Sequence, residues 1–197
     1  MYLSAECRMV YEVVEPMVDN FVLGYCSTIR VTLKADRFIC IEVDGTGFDL
    51  GERSYGGIMV PRVYASLTDF RTVGGVQEIF WPNEELVHSA HSAGIRCVNA
   101  LSACFSAESH CGGACHTIRF AQGRLTQPLR SEGKTTRQGT VITFLPDPEI
   151  FPDHSVFDSE ELARNLKHFA IMGPGLNILF SNEYTGQPEQ VFFAPEN

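Results

Sequence analysis

The chain has 197 residues, of which 44% are hydrophobic and 20% charged, and its formal net charge is −9. These values are typical of one soluble globular domain, and they argue against a nucleic-acid surface, which needs clustered Lys and Arg. There is no run of about 18 apolar residues and no N-terminal signal pattern, so we predict a cytoplasmic protein without a membrane span. In that compartment the seven cysteines are expected to be free thiols.

The first part of the chain predicts one helix and two strands. Apolar residues at helical spacing predict an amphipathic helix over Met9–Leu23, and Pro16 is expected to kink or split it. Alternating apolar and polar residues predict paired strands at Ile29–Leu33 and Phe38–Val43. The glycine-containing turn Asp44–Gly47 ends the second strand and would let a ligand approach the backbone closely.

The middle of the chain predicts two helical segments separated by a loop. Ile58–Thr68 is predicted to be helical, and Phe70–Glu85 to be a loop. This loop is either a lid over a pocket or a segment anchored by a buried Trp81. Small residues in Val87–Phe105 lead into a helical run that ends near Leu101.

The rest of the chain predicts a sheet and one more helix. The helix Ser159–Phe169 has Asp158 or Ser159 as its N-cap. Strands are predicted at Phe105–Ser109, Cys115–Ala121, Val141–Leu145, Leu176–Phe180 and Val191–Phe193. The element order predicts an α+β fold, a two-layer sandwich with helices on one face of a mixed, mostly antiparallel sheet.

The turn between the first two of these strands has an unusual composition. It reads HCGGACH over His110–His116, with two Cys and two His, which are the ligand types that suit zinc. Flanking His residues in a hairpin tend to point to different faces, so an ordinary glycine turn is the preferred interpretation. The zinc alternative stays open.

Three stretches carry a resemblance to a known family. The first helix contains EVVEPMVDN and is followed by GYC, Ser92–Ser102 reads SAGIRCVNALS, and Gly139–Asp147 reads GTVITFLPD. In this order and spacing they resemble the N-terminal ATPase domain of bacterial gyrase B and topoisomerase IV, a member of the GHKL superfamily. The resemblance covers nearly the whole chain. It implies the same α+β sandwich and a single domain over residues 1–197, without the transducer and DNA-binding domains of the family.

The resemblance also implies where an ATP site would lie. Glu12 matches the family glutamate that activates the attacking water. Pro16, however, stands where the family has an asparagine that binds Mg²⁺, and Val43 where it has an aspartate that accepts a hydrogen bond from adenine. Gly47 and Thr140 match residues that line the adenine end.

The phosphate-binding loop of the family differs here as well. It corresponds to His88–Gly94, where three of four glycines are replaced and only His91 and Gly94 match. Side chains at positions that need positive φ or close phosphate contact would disturb such a loop. We therefore expect no ATP turnover, no cofactor and no metal.

The leading hypothesis is a repurposed domain that binds an apolar small molecule in the former nucleotide pocket. It would convert this molecule without ATP, by acid–base-assisted cyclisation or isomerisation of the kind used in biosynthesis. The candidate catalytic residues are Glu12, Asp19 and His91. The candidate ligand-binding residues are Glu15, Pro16, Val43, Asp44, Gly47, His88, Gly94 and Thr140.

Two alternatives belong to a different class of function. One is a pseudo-ATPase that regulates a partner such as a topoisomerase. The other is a residual nucleotide-binding module in which Asp44 takes over the adenine contact. A small molecule is the expected partner, with no nucleic acid and no membrane, and the oligomeric state stays open.

Overall fold

The computed structural model describes residues 4–55, 57–68, 94–151, 158–186 and 188–195. Four helices lie within these residues: α1 (Ala5–Val22), α2 (Arg62–Thr68), α3 (Gly94–Ala100) and α4 (Ser159–Met172). The N-caps of the two long helices satisfy backbone donors of the first turn. The Ser4 hydroxyl accepts from the N–H of Cys7, and the Asp158 carboxylate accepts from the N–H of Glu161.

Ten strands lie in the same residues. They are β1 (Thr28–Leu33), β2 (Ile39–Val43), β3 (Glu52–Tyr55), β4 (Ile58–Pro61), β5 (Ser102–Cys111), β6 (Ala114–Ala121), β7 (Arg124–Lys134), β8 (Gly139–Pro146), β9 (Asn177–Asn182) and β10 (Gln190–Phe193). Eight of them form one sheet in the order β10-β9-β1-β2-β8-β5-β6-β7, and β3 pairs with β4 in a separate hairpin. Within the large sheet, β1 and β9 are parallel and the other pairs are antiparallel.

One face of the large sheet, which we call the covered face, packs against the helices. Four apolar residues from neighbouring strands lie in one row of this face, each almost fully buried: Ile41, Ile142, Ala107 and Ile118. The same core cluster contains Val13 and Met17 of α1 and Leu166 of α4. The opposite face, which we call the open face, carries side chains such as Glu42 and Glu108. This two-layer arrangement confirms the predicted α+β sandwich.

Three elements differ from the prediction, and one of them, β3, lies in a stretch for which no element was predicted. Ile58–Thr68 is not one helix, because its first four residues form β4 and only Arg62–Thr68 is helical. Pro61 explains this, since a proline pushes the residue before it towards extended backbone. Strand β7 was not predicted, because its eleven residues are mostly exposed and carry Pro128 and Gly133 in place of an apolar alternation. Such a sequence is acceptable at the edge of a sheet.

The remaining predicted elements are found with shifted ends. Helix α1 begins four residues earlier than predicted and continues through Pro16, so the proline does not split it. Proline at this position cannot donate a hydrogen bond to the preceding turn. The predicted loop Phe70–Glu85 with Trp81 lies outside the described residues. No helix in the described part of the chain combines the length and apolar character that a membrane crossing requires.

The cysteines are free thiols, and the burial of several of them couples stability to alkaline pH. Burial raises the pKa of the Cys7 thiol from 9.0 to about 11, and that of Cys26 to about 12. The unfolded chain therefore loses these protons first as the pH rises, and the free energy of unfolding falls from about pH 9 upward. Between about pH 8 and about pH 10 we expect the buried Cys7 thiol to contribute a loss on the order of 1 kcal/mol, and the partly exposed Cys26 thiol a smaller one.

Urea unfolding at these two pH values checks this prediction with two variants. Cys7→Ala removes the buried thiol and should show a smaller alkaline loss than the parent. Cys97→Ala, which replaces an exposed thiol, should show the parental loss. If the Cys7 variant lost as much stability as the parent, the buried thiol would not be responsible.

Candidate functional site

The register of the sheet brings together two of the predicted ligand-binding residues. Val43 at the end of β2 pairs with Thr140 at the start of β8, and Thr140 pairs with Ser109 of β5. These three side chains form one row on the covered face, and all are buried, with 6% of Val43 and 2% of Thr140 exposed. The row combines one apolar side chain with two hydroxyl groups.

The turn after β2 is fixed in place by β5. The Ser109 hydroxyl donates to the carbonyl oxygen of Phe48 over 3.1 Å. Gly47 has φ +79°, and a Cβ on it would overlap Ser109 Oγ and lie 3.3 Å from the Cβ of Cys111. Glycine is therefore required here, because both the positive φ and the close packing exclude a side chain.

The carboxylate of Asp44 is engaged within the fold. It accepts hydrogen bonds from the backbone N–H groups of Ser27 and Thr28 over 2.7 and 3.0 Å, and from the Ser27 hydroxyl over 2.6 Å. These three bonds hold the start of β1 beside the end of β2. Asp44 thus acts as a local anchor between two strands, a role for which the sequence carries no signal.

Glu12 and Gly94 are distant in sequence but adjacent in space. Arg8, one helical turn before Glu12, donates from Nε to Glu12 Oε1 over 2.6 Å. A Cβ built on Gly94 would overlap the Glu12 carboxylate and lie 2.8 Å from the Glu12 Cβ. The first residue of α3 therefore packs directly on the predicted catalytic glutamate, whose side chain is 18% exposed.

Three further candidate residues, Glu15, Pro16 and Asp19, belong to α1. Pro16 is buried, whereas Glu15 and Asp19 are partly buried. The two predicted histidines, His88 and His91, lie outside the described residues. Of the eleven candidate residues, the structure thus places Val43 beside Thr140 and Glu12 beside Gly94.

The segment with the sequence VNALS has a structural role. Asn99 is buried, and its side-chain amide donates to the carbonyl oxygen of Leu67 over 3.0 Å. Nearby, Arg96 Nε donates to the carbonyl oxygen of Ser66 over 2.8 Å. These two bonds fasten α3 to the C-terminal part of α2. They fix the position of the helix that begins at Gly94.

A cavity of about 150 Å³ lies on the open face at the same end of the sheet. Its polar lining includes Arg30, Glu42, Asp44, His110 and Arg137. Arg137 and Glu42 form an ion pair, in which an Arg137 side-chain nitrogen donates to Glu42 Oε2 over 2.6 Å. Val43 and Thr140 also line this cavity, although the register places their side chains on the covered face. Asp44, a third predicted ligand-binding residue, lines it as well.

Sequence reasoning missed three residues that shape the region. Arg8 had a signal, because residues four apart on a helix face each other and the Arg8–Glu12 pair has opposite charges. Ser27 and Ser109 had none, because their partners lie elsewhere in the chain and a serine alone does not indicate a contact.

Comparisons with known proteins agree with this architecture. The DNA gyrase B protein of Thermotoga maritima is 31% identical over 186 residues, which are 94% of this chain and 28% of that relative. The protein of the same name from Treponema denticola is 28% identical over 198 residues, or 96% of this chain and 29% of the relative. The chain thus spans less than a third of the length of the curated relatives that it matches. No family model matches the chain.

A solved structure extends the agreement to three dimensions. The 43K ATPase domain of Thermus thermophilus gyrase B, in complex with an aminocoumarin, matches with a TM-score of 0.76 and 29% identity. The match covers 94% of this chain and 45% of that chain. The chain is therefore homologous to the N-terminal ATPase domain of DNA gyrase B and has its GHKL fold.

Proposed function

We propose that this domain does not turn over ATP and instead binds an apolar small molecule in the region of the former nucleotide site. This region lies between α1 and the row formed by Val43 and Thr140. The observation that carries the proposal is the buried row itself, in which Val43 stands at the predicted adenine position beside Thr140. The neighbouring carboxylate, that of Asp44, is held by three hydrogen bonds from Ser27 and Thr28.

The residues at the adenine end do not fit a nucleotide base. Val43 offers no acceptor for an exocyclic amine, and an unmade hydrogen bond there would cost about 1–3 kcal/mol. Asp44 follows Val43 at the end of β2, and its carboxylate is held by Ser27 and Thr28 on the open face, away from the covered face to which the Val43 side chain points. This argues against the alternative in which Asp44 contacts adenine.

The residues at the metal end do not fit Mg²⁺ bound together with a triphosphate. Magnesium prefers several oxygen ligands in near-octahedral geometry. Pro16 has no side-chain oxygen and is buried. The Glu12 carboxylate on the preceding turn is held by Arg8. Since phosphoryl transfer depends on positioned charge, these features argue against ATP hydrolysis.

The apolar side chains of the region favour an apolar ligand. Met17 of α1 and Val43 of β2 are buried apolar side chains, and Pro16 is a buried apolar neighbour of Met17. Thr140 supplies a hydroxyl beside Val43, and small-molecule sites typically combine apolar walls with a few polar groups. The Thermus thermophilus domain with the same fold is in complex with an aminocoumarin.

The geometry supports binding more directly than conversion. Acid–base-assisted cyclisation or isomerisation would use Glu12, whose carboxylate must then exchange its bond with Arg8 for one with the ligand. Replacing Glu12 by glutamine therefore separates the two parts of the proposal. Loss of turnover with retained ligand binding is the result expected of a catalytic Glu12.

Calorimetry and fluorescence test the binding proposal. We expect ATP with Mg²⁺ to bind more weakly than about 1 mM, which corresponds to roughly −4 kcal/mol. The neutral fluorescent probe N-phenyl-1-naphthylamine should bind the parent chain. Val43→Asp should weaken probe binding by about 10-fold or more, since it buries a charge in the apolar wall. Thr140→Val, which keeps the volume, should not weaken it.

A matched control shows whether the effect is local. Val191→Asp introduces the same charge on the edge strand β10, where the side chain is 60% exposed. It should bind the probe as the parent does, and circular dichroism shows whether each variant keeps the fold. Binding of ATP tighter than about 1 mM, or equal probe binding by the Val43 and Val191 variants, would contradict the proposal.

A further inference from the structure

The hairpin of β5 and β6 brings three metal-ligating side chains together on the open face. His110 pairs directly with Cys115, and Glu108 lies two residues before His110 on the same face of β5. The strands are joined by Gly112 and Gly113, which have φ +58° and +80°. This two-residue turn fixes the register, so the three side chains are held at neighbouring positions.

The ligand atoms lie close enough to share one ion. The Nε2 of His110 is 3.5 Å from Glu108 Oε2 and 4.0 Å from Cys115 Sγ, and all three atoms lie within 4.8 Å of one another. Ligand atoms around a tetrahedral zinc are about 3.3–3.8 Å apart, given its usual bond lengths. Side-chain movements of about 1 Å or less would therefore complete the geometry.

The histidine is oriented by a second contact. Only 6% of His110 is exposed, and its Nδ1 is 3.4 Å from the hydroxyl oxygen of Thr135. This contact leaves Nε2 directed at Glu108 and Cys115. Histidines that bind metals usually have the other ring nitrogen held in this way. The hydroxyl of Thr117 lies 3.9 Å from Cys115 Sγ on the same face.

We propose that Glu108, His110 and Cys115 bind a divalent transition-metal ion, with Zn²⁺ as the best match. Thiolate, imidazole and carboxylate are the ligand types that zinc takes in proteins. Three protein ligands leave a fourth position open for water or a ligand. His110 also lines the cavity on the open face. The proposal is independent of the function proposed above.

The ligand set differs from the one that the HCGGACH sequence suggested. Ser109 pairs with His116, so His116 lies on the covered face, opposite to His110 and Cys115. Cys111 also alternates to that face, where its Cβ approaches Gly47. The expectation that the two histidines point to different faces is therefore met. Glu108, which lies outside the HCGGACH segment, is the third ligand in place of Cys111 and His116.

Metal binding to the full chain tests the proposal with Zn²⁺ and Co²⁺ alone. We expect one Zn²⁺ per chain by native mass spectrometry. The Co²⁺ form should show a thiolate-to-metal charge-transfer band in the near ultraviolet, which requires cysteine ligation. Cys115→Ser should abolish this band. His110→Gln and Glu108→Gln should weaken zinc binding more than about 10-fold, since removing even a residue that only orients a ligand has an effect of that size.

The same hairpin supplies matched controls. Cys111→Ser and His116→Gln change the same residue types on the other face and should keep both the stoichiometry and the charge-transfer band. Circular dichroism of each variant checks whether the fold is retained. The cobalt spectrum of the parent chain tests the proposal even if a variant does not fold. A parent chain that takes up no Zn²⁺, or equal binding by the Cys111 and Cys115 variants, would overturn the proposal.

Discussion

Replacing Gly139 by alanine is expected to lower the free energy of unfolding by about 3–5 kcal/mol, from backbone strain and overpacking together. Gly139 has φ +121°, a conformation that L side chains rarely adopt. A Cβ there would overlap the carbonyl oxygen of Val43 and lie 3.1 Å from the Cα of Asp44. Both contacts are with backbone that is fixed by pairing of β2 and β8, so neither can move away easily.

Gly133 provides a control that separates the two causes. Its φ is +135°, but a Cβ built on it meets nothing within 4 Å. Gly133→Ala should therefore show only the backbone strain, about 1–3 kcal/mol. Urea unfolding of both variants measures the difference. Equal losses would mean that close packing against Val43 contributes nothing at Gly139.

Replacing Gly94 by alanine is expected to cost about 1–3 kcal/mol through overpacking, although alanine is the better helix former. The added Cβ would overlap the Glu12 carboxylate and lie 2.8 Å from the Glu12 Cβ, so α3 must move away from α1. The affected residues are those of the candidate site. Thermal and urea unfolding of the variant give the size of the effect.

A double-mutant cycle with Glu12→Ala tests the cause of that loss. Because the clash is mainly with the Glu12 side chain, the Gly94 substitution should cost less in the Glu12→Ala background, with a coupling of about 0.5–3 kcal/mol. Gly173→Ala is the control, since its Cβ would meet Phe21 at an ordinary 3.4 Å. Additive losses at positions 12 and 94 would show that the two residues do not touch.

The regular part of the fold could be predicted because its signals are local. Helix α1 follows from apolar residues three and four apart, and β1 and β2 follow from alternation. Strand β7 could not be predicted, because an exposed edge strand needs no apolar pattern and is specified by its pairing with β6. Strand β4 was predicted as part of a helix, because its apolar residues are compatible with either structure.

The sequence predicted several residues of the candidate site, but not the contacts that these residues make. The resemblance to a known family led to Val43 and Thr140, and the sheet register places them side by side. The use of Asp44 could not be read from the chain, because its partners Ser27 and Thr28 become neighbours only when β1 and β2 pair. The same holds for the three ligating side chains of the hairpin, which depend on the register of β5 and β6.

Strand β5 is unusual in that both of its surfaces are committed. Ser109 fastens the turn after β2 on one side, while Glu108 and His110 converge with Cys115 on the other. Adding or deleting one residue in this strand would interchange the two surfaces for every residue beyond the change. A change in the length of β5 would therefore disrupt the contacts on both faces at once, whereas a single substitution affects only one face.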